Sequence, residues 1–254
     1  MILLHRITPF GIALVSMAAF AALIVSPLFG LKALIPAAVI VACCFARLLL
    51  WDVRRPPFWV FLGTPMLLWC SSLIFFFFLE DPVSKWIVAS VVTFATALYA
   101  ENLFTFYHVP RLYQAYALEN LSLVLYVLSA FFFTSGAYGS QLFLLLPVWI
   151  PMICVCIAVL LATMAVFWVS KIDFEIGVPY AAVGAVLFAE CYGVLSTWPT
   201  SFVTNAALFS VLLYAFLVLA RANVLDRLST KMVAQLLGFV GVLLLMIIGS
   251  ARWL

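Results

Sequence analysis

Residues 143–169 read FLLLPVWIPMICVCIAVLLATMAVFWV, an apolar run without a single charged side chain. A helix of about 20 apolar residues rises about 30 Å, which is the thickness of the hydrocarbon core of a bilayer. This run is long enough to cross a membrane as one helix, and Pro147 and Pro151 are expected to bend it. The rest of the chain repeats the pattern.

The composition agrees with a chain that lies mostly in lipid. Hydrophobic residues make up 69% of the 254 residues and charged residues 8%, against roughly 45–50% and about 25% in soluble domains. The net charge of +3 comes from scattered basic residues, so no nucleic-acid partner is predicted. We predict an all-α, polytopic transmembrane helical bundle that forms a single integral membrane domain over residues 1–254. The lipid bilayer of a prokaryotic cytoplasmic membrane is its predicted location.

The apolar runs divide into about nine spans, because turn residues or charges interrupt them at regular intervals. Proline, glycine and charged residues mark most of these interruptions. The predicted spans cover residues 9–29, 33–50, 58–79, 86–108, 112–135, 143–169, 178–197, 202–220 and 232–251.

The basic residues predict the orientation of these spans. With the N-terminus in the cytoplasm, the inside segments hold most of the 12 Lys and Arg residues, as the positive-inside rule requires. The inside set is Arg6, Arg47, Arg54, Arg55, Arg111, Lys171, Arg221, Arg227 and Lys231, and the outside set is Lys32, Lys85 and Arg252. The C-terminus is then predicted to lie outside.

Small residues predict where the helices pack, because close helix contacts in lipid use residues with little or no side chain. The seventh span carries Gly177, Ala181, Gly184 and Ala185, and the ninth carries Gly238, Gly241 and Gly249. We expect both sets to be packing surfaces within the bundle.

Residues 99–121 read YAENLFTFYHVPRLYQAYALENL and gather acids, amides, a histidine, an arginine and four tyrosines in one stretch. Ionisable residues inside a span are costly in lipid and are therefore candidates for function. Three glutamates meet this description: Glu101 and Glu119 in this stretch, and Glu190 in the seventh span.

Pro110 is predicted to be the turn of a helical hairpin. Glu101 and Glu119 each lie nine positions from it, so an antiparallel hairpin would hold the two acids at equal depth. Asn102 and Asn120 follow them directly, which predicts two Glu-Asn pairs about 10 Å inside the cytoplasmic surface.

A polar face is predicted on the fourth span. Glu101, Thr105 and His108 are spaced four and three residues apart, so they share one side of a helix that leads towards Arg111. This row could pass protons or hold a cation. Alternatively, the glutamate and asparagine side chains hydrogen-bond across helices, while His108 and Arg111 face the lipid headgroups.

Glu190 indicates an internal repeat. Its distance from Pro199 equals the distance from Glu101 to Pro110. A repeated unit of three helices would have inverted orientation, which is common in transporters.

No motif for a metal, a cofactor or a catalytic nucleophile is present, so we predict no metal and no cofactor, and the catalytic residues are unknown. The favoured hypothesis is a non-catalytic membrane subunit or assembly factor with a membrane-protein partner. One alternative is a small transporter or proton-linked permease that uses the intramembrane glutamates. Another is an intramembrane enzyme that acts on a lipid-linked substrate.

Overall fold

The computed structural model of the chain describes residues 6–251, and within this range it contains no strand. The same range holds nine helices that are long and apolar enough to cross a membrane, which confirms the prediction of nine apolar helices. They are α1 (Thr8–Val25), α2 (Pro27–Leu48), α3 (Pro56–Phe76), α4 (Pro82–His108), α5 (Ala117–Leu144), α6 (Trp149–Val169), α7 (Phe174–Leu195), α8 (Phe202–Val224) and α9 (Thr230–Ser250). Arg252, which belongs to the predicted outside set, lies beyond the described residues.

Most helix boundaries differ from the predicted ones by a few residues, and the first connection is much shorter than expected. We predicted spans 9–29 and 33–50, but Ser26 is the only residue between the two helices, and α2 begins at Pro27. Proline is well tolerated in the first turn of a helix, where its missing N–H needs no partner. Gly30, which was expected in the connection, lies inside α2 and is buried.

Helix α5 is the largest departure from prediction. We predicted one span over 112–135 and the next from residue 143, but the helix runs over Ala117–Leu144. Gly136 and Gly139 are buried within it, so these small residues are packing positions and do not form a turn. Glycine is frequent in membrane helices for this reason.

Helix α6 begins later than predicted. The apolar run 143–169 does not form one bent helix, because α6 covers Trp149–Val169 only. Pro147 lies in the connection before the helix, and Pro151 lies in its first turn, where proline does not interrupt helical hydrogen bonds.

Three helices end in the same backbone motif without a glycine. Leu50, Lys171 and Asp226 follow α2, α6 and α8 and have φ angles of 57°, 60° and 52°. In each case the next residue donates its N–H to a carbonyl five residues earlier, as Trp51 does to Ala46 at 3.0 Å. This is a Schellman motif. Glycine usually occupies its left-handed position, so the sequence carries no signal for it here.

The described residues form two compact units, which divide between Leu125 and Tyr126. In the first unit, Trp69 of α3 is 1% exposed, and its Nε1 donates a hydrogen bond to Ser16 Oγ of α1 at 3.3 Å. The Phe20 ring packs edge-on against Trp69, with 5.4 Å between ring centroids. Phe45 of α2 packs against Tyr99 of α4, with 6.3 Å between ring centroids.

In the second unit, the small-residue prediction is confirmed for α7 but not for α9. Gly177, Ala181, Gly184 and Ala185 are all buried, and a Cβ on Gly184 would lie 2.6 Å from Cε1 of Phe216. By contrast, a Cβ on Gly238, Gly241 or Gly249 would meet nothing within 4 Å. Helix α9 packs on α8 through Leu236 and Val240 instead.

Candidate functional site

The carboxylate of Glu101 is exposed on α4, and no hydrogen bond or ion pair joins it to another residue of the range 6–251. It lies about two helical turns before His108, where α4 ends. Helix α4 has 27 residues and is therefore about 40 Å long, which exceeds a hydrocarbon core of about 30 Å. Glu101 therefore lies about midway between the centre of the helix and its end at His108.

Neighbouring polar side chains on α4 bond to their own helix. The Nδ2 of Asn102 donates to the Leu98 carbonyl at 2.8 Å, and the Thr105 hydroxyl donates to the Glu101 carbonyl at 2.9 Å. Such bonds to the preceding turn satisfy a polar group inside an apolar environment. Neither side chain links α4 to another helix through these bonds.

His108 and Arg111 lie at the end of this face. The His108 ring stacks on Phe104, with 5.1 Å between centroids and 14° between planes. Arg111 is exposed in a short 3-10 turn, Pro110–Leu112. Of the predicted row, Glu101 is exposed, whereas Thr105 and His108 are half-buried.

The start of α5 is held by a tyrosine that the sequence did not single out. The Tyr113 hydroxyl accepts a hydrogen bond from the Leu118 backbone N–H at 3.1 Å and donates one to Glu119 Oε2 at 3.2 Å. The first N–H groups of a helix have no partner within the helix, so Tyr113 acts as a cap from outside it. Tyr116, with φ of 65°, turns the chain into the helix.

Burial is the main cause that raises the pKa of Tyr113; the Leu118 N–H opposes this rise, and the Glu119 carboxylate adds to it. Because the folded pKa lies above the ordinary tyrosine value of about 10, the stability that this group contributes is fully present below pH about 10. It is lost as the pH rises through the folded pKa. The cap is therefore intact at neutral pH.

Replacing Tyr113 with phenylalanine removes the cap and keeps the ring. We expect a loss of about 1 kcal/mol at the start of α5, which corresponds to amide hydrogen exchange about fivefold faster over residues 117–121. Tyr214→Phe is the control, because its hydroxyl makes no hydrogen bond within the described chain. Equal exchange rates in the wild type and the Tyr113 variant would show that the hydroxyl does not cap the helix.

The two glutamates of the predicted hairpin differ in position along their helices. Glu101 lies about two turns inside α4, whereas Glu119 lies in the first turn of α5, and Asn120 beside it is exposed. The connection occupies residues 109–116, so equal distance from Pro110 in sequence does not correspond to equal distance from the helix ends.

Glu190 of α7 resembles Glu101 in its surroundings. Its carboxylate is exposed and makes no hydrogen bond or ion pair with other described residues. It lies in the last two turns of α7, which ends at Leu195. Both acids are therefore unpaired on helices whose side chains are mostly apolar.

Each of these acids lies in line with a row of exposed apolar side chains on its helix. On α4 the row is Ile87, Val91, Phe94 and Leu98 followed by Glu101, and on α7 it is Val183, Leu187, Glu190 and Val194. The spacing alternates between four and three residues, which is the pattern of a helix seam that packs along a second helix. We call these rows the α4 seam and the α7 seam.

A partly open pocket of about 140 Å³ lies in the first unit. Its lining consists of Leu49, Leu50, Asp52, Arg55, Pro57, Phe58 and Tyr107. None of the three glutamates lines it. The sequence identifies Arg55 only as a basic residue of an inside segment, and it does not associate Tyr107 with this residue, because the two are distant in the chain.

Within residues 6–251, no three His, Cys, Asp or Glu side chains lie close enough together to hold a metal ion. No family model, curated protein or solved structure matches the chain. The nine apolar helices indicate an integral membrane protein, and this is the class that the fold defines.

Proposed function

We propose that the chain is a non-catalytic subunit or assembly factor of a membrane-protein complex in a prokaryotic cytoplasmic membrane. In this proposal, the α4 seam packs along a transmembrane helix of a partner, and Glu101 contacts a hydrogen-bond donor or a cation on that helix. The observation that carries the proposal is the exposed, unpaired carboxylate of Glu101 in an apolar row.

The cost of an acid in lipid supports this proposal. A charged side chain at the centre of a membrane helix costs about 2.5–3.5 kcal/mol on insertion scales, and such residues usually pair with another polar group. Glu101 lies about midway between the helix centre and its end, so its cost is lower than at the centre but still unfavourable. The described chain supplies no hydrogen-bond or ion-pair partner for the carboxylate. We therefore propose that a second protein supplies this partner. The α7 seam with Glu190 is a second candidate surface of the same kind.

The proposed threading has nine crossings, with the N-terminus in the cytoplasm and the C-terminus outside. Support comes from the uneven distribution of the basic residues. In this threading, the end of α4 and Glu101 lie on the cytoplasmic side of the membrane.

Replacing Glu101 with leucine tests the proposal. In mild detergent, we expect the wild-type chain to co-purify with a stoichiometric membrane-protein partner. The amount of partner that co-purifies with the Glu101→Leu variant should be lower by about tenfold or more. A tenfold loss corresponds to about 1.4 kcal/mol, which is the magnitude of one hydrogen bond to a charged group. The thermal unfolding midpoint of the isolated variant should equal or exceed that of the wild type, because Glu101 has no bond to lose within the chain.

Glu80→Leu is the matched control, since it removes an exposed acid in the connection before α4. This variant should keep the partner. A wild-type chain that purifies alone and monodisperse, or a Glu101→Leu variant that retains its partner fully, would contradict the proposal. A lower unfolding midpoint for Glu101→Leu would instead indicate a role within the fold.

A further inference from the structure

The partly open space in the first unit lies where α2 ends, α3 begins and α4 ends. Its volume of about 140 Å³ far exceeds the roughly 10–15 Å³ that one water molecule needs on this measure. Leu49 and Phe58 are buried and form an apolar wall, while Asp52 and Arg55 supply charges. The space thus combines an apolar wall with a polar edge at the end of three helices.

Asp52 orients Arg55 but occupies only one of the nitrogen donors of the guanidinium. Asp52 Oδ2 lies 2.8 Å from Nε of Arg55, and no other side-chain hydrogen bond or ion pair engages the guanidinium within the described chain. The ion pair is exposed and adds little to stability. Because it holds Nε, it leaves the two terminal nitrogens of the guanidinium available, and this pair of donors matches two oxygens of a phosphate.

Tyr107 of α4 supplies a further donor at the same space. Its side chain is half-buried against Phe61, with 6.4 Å between ring centroids. Its hydroxyl makes no hydrogen bond with other described residues. Arg54, beside Arg55 in the chain, is exposed and does not line the space.

We propose that this space binds the phosphodiester group of a membrane phospholipid. The terminal nitrogens of Arg55 hold two phosphate oxygens, the Tyr107 hydroxyl donates to a phosphate oxygen, and the glycerol and first methylenes contact Leu49 and Phe58. The apolar wall favours a lipid over a free phosphate ion, because only a lipid carries an apolar portion to bury there. This site is independent of the α4 seam.

Lipid titration of the full chain in a phosphate-free detergent tests the site. Dihexanoyl phosphatidylglycerol should raise the thermal unfolding midpoint, and Arg55→Lys should need about tenfold more lipid for the same rise, because lysine lacks the two-pronged donor. Arg54→Lys is the matched control and should behave as the wild type, since Arg54 does not line the space. Tyr107→Phe should need severalfold more lipid, and it keeps the test valid if Arg55→Lys does not fold.

Two further ligands separate the sources of the interaction. Inorganic phosphate and dihexanoylglycerol, at the same concentrations, should each give a much smaller rise than the phospholipid. An equal rise with inorganic phosphate would overturn the lipid assignment in favour of a free phosphate. An equal rise with dihexanoylglycerol, or an equal effect of Arg54→Lys and Arg55→Lys, would overturn the phosphate site itself.

Discussion

Replacing Gly30 with alanine is expected to lower the free energy of unfolding by about 3 kcal/mol, at the upper end of the usual cost of overpacking. A Cβ at Gly30 would lie 2.4 Å from Cα and 2.7 Å from N of Leu23. Both atoms belong to the backbone of α1, so no side-chain rotation can relieve the clash. Instead, α1 and α2 must move apart at the point where Ser26 joins them.

The measurement is the thermal unfolding midpoint of the purified chain in detergent, with Gly63→Ala as the matched control. A Cβ at Gly63, within α3, would meet nothing within 4 Å. Alanine favours helix over glycine by about 1 kcal/mol, so the control should be neutral or slightly stabilising. Equal midpoints for the two variants would show that α1 and α2 do not approach as closely as the structure indicates.

Replacing Trp69 with alanine is expected to cost about 3–5 kcal/mol, the range for removal of a large buried aromatic side chain. Trp69 is 1% exposed, and it contacts α1 through the Phe20 ring and the Ser16 hydroxyl. Its removal leaves a cavity between α1 and α3, and lipid tails cannot fill a closed cavity.

Two companion variants separate the contributions to this effect. Trp69→Phe retains most of the packing and removes the hydrogen bond to Ser16. Loss of this bond should lower the free energy of unfolding by about 1 kcal/mol, in addition to the effect of the smaller side chain. Trp59→Ala removes an exposed tryptophan from the same helix, whose Nε1 bonds to the Val53 carbonyl, and its cost should be much smaller. Equal unfolding midpoints for Trp69→Ala and Trp59→Ala would contradict the burial of Trp69.

Helix boundaries show how far local sequence signals extend. The break at Ser26-Pro27 carries a signal, because proline starts helices well, but the predicted bounds 9–29 and 33–50 place the connection a few residues too late. The start of α5 carries almost none, because a tyrosine side chain from outside the helix caps it. Standard capping residues lie at the helix terminus itself, and this rule does not find Tyr113.

Glycines show the same limit. Gly184 and Gly238 lie in similar apolar helices, and both were predicted to be packing positions. Only Gly184 meets another helix, at Phe216, while Gly238 faces open space. A small residue permits a close contact, but the neighbouring helix decides whether one forms.

The candidate sites were predictable in part. The sequence identifies Glu101 and Glu190 as acids inside apolar helices, because ionisable residues are rare there. It cannot show that their carboxylates are exposed and unpaired. Nor can it associate Tyr107 with Asp52 and Arg55, since about 50 residues and two helices separate them in the chain.

The sequence by itself determined the class of the protein and the number of its helices. Apolar runs of about 20 residues satisfy their backbone hydrogen bonds in lipid only as helices, and these runs and the turn signals between them are local features of the sequence. The tertiary structure decided which glycines pack, which acids remain unpaired and which side chains surround the space at Arg55. These features depend on contacts between residues far apart in the chain, which local patterns of hydrophobicity do not encode.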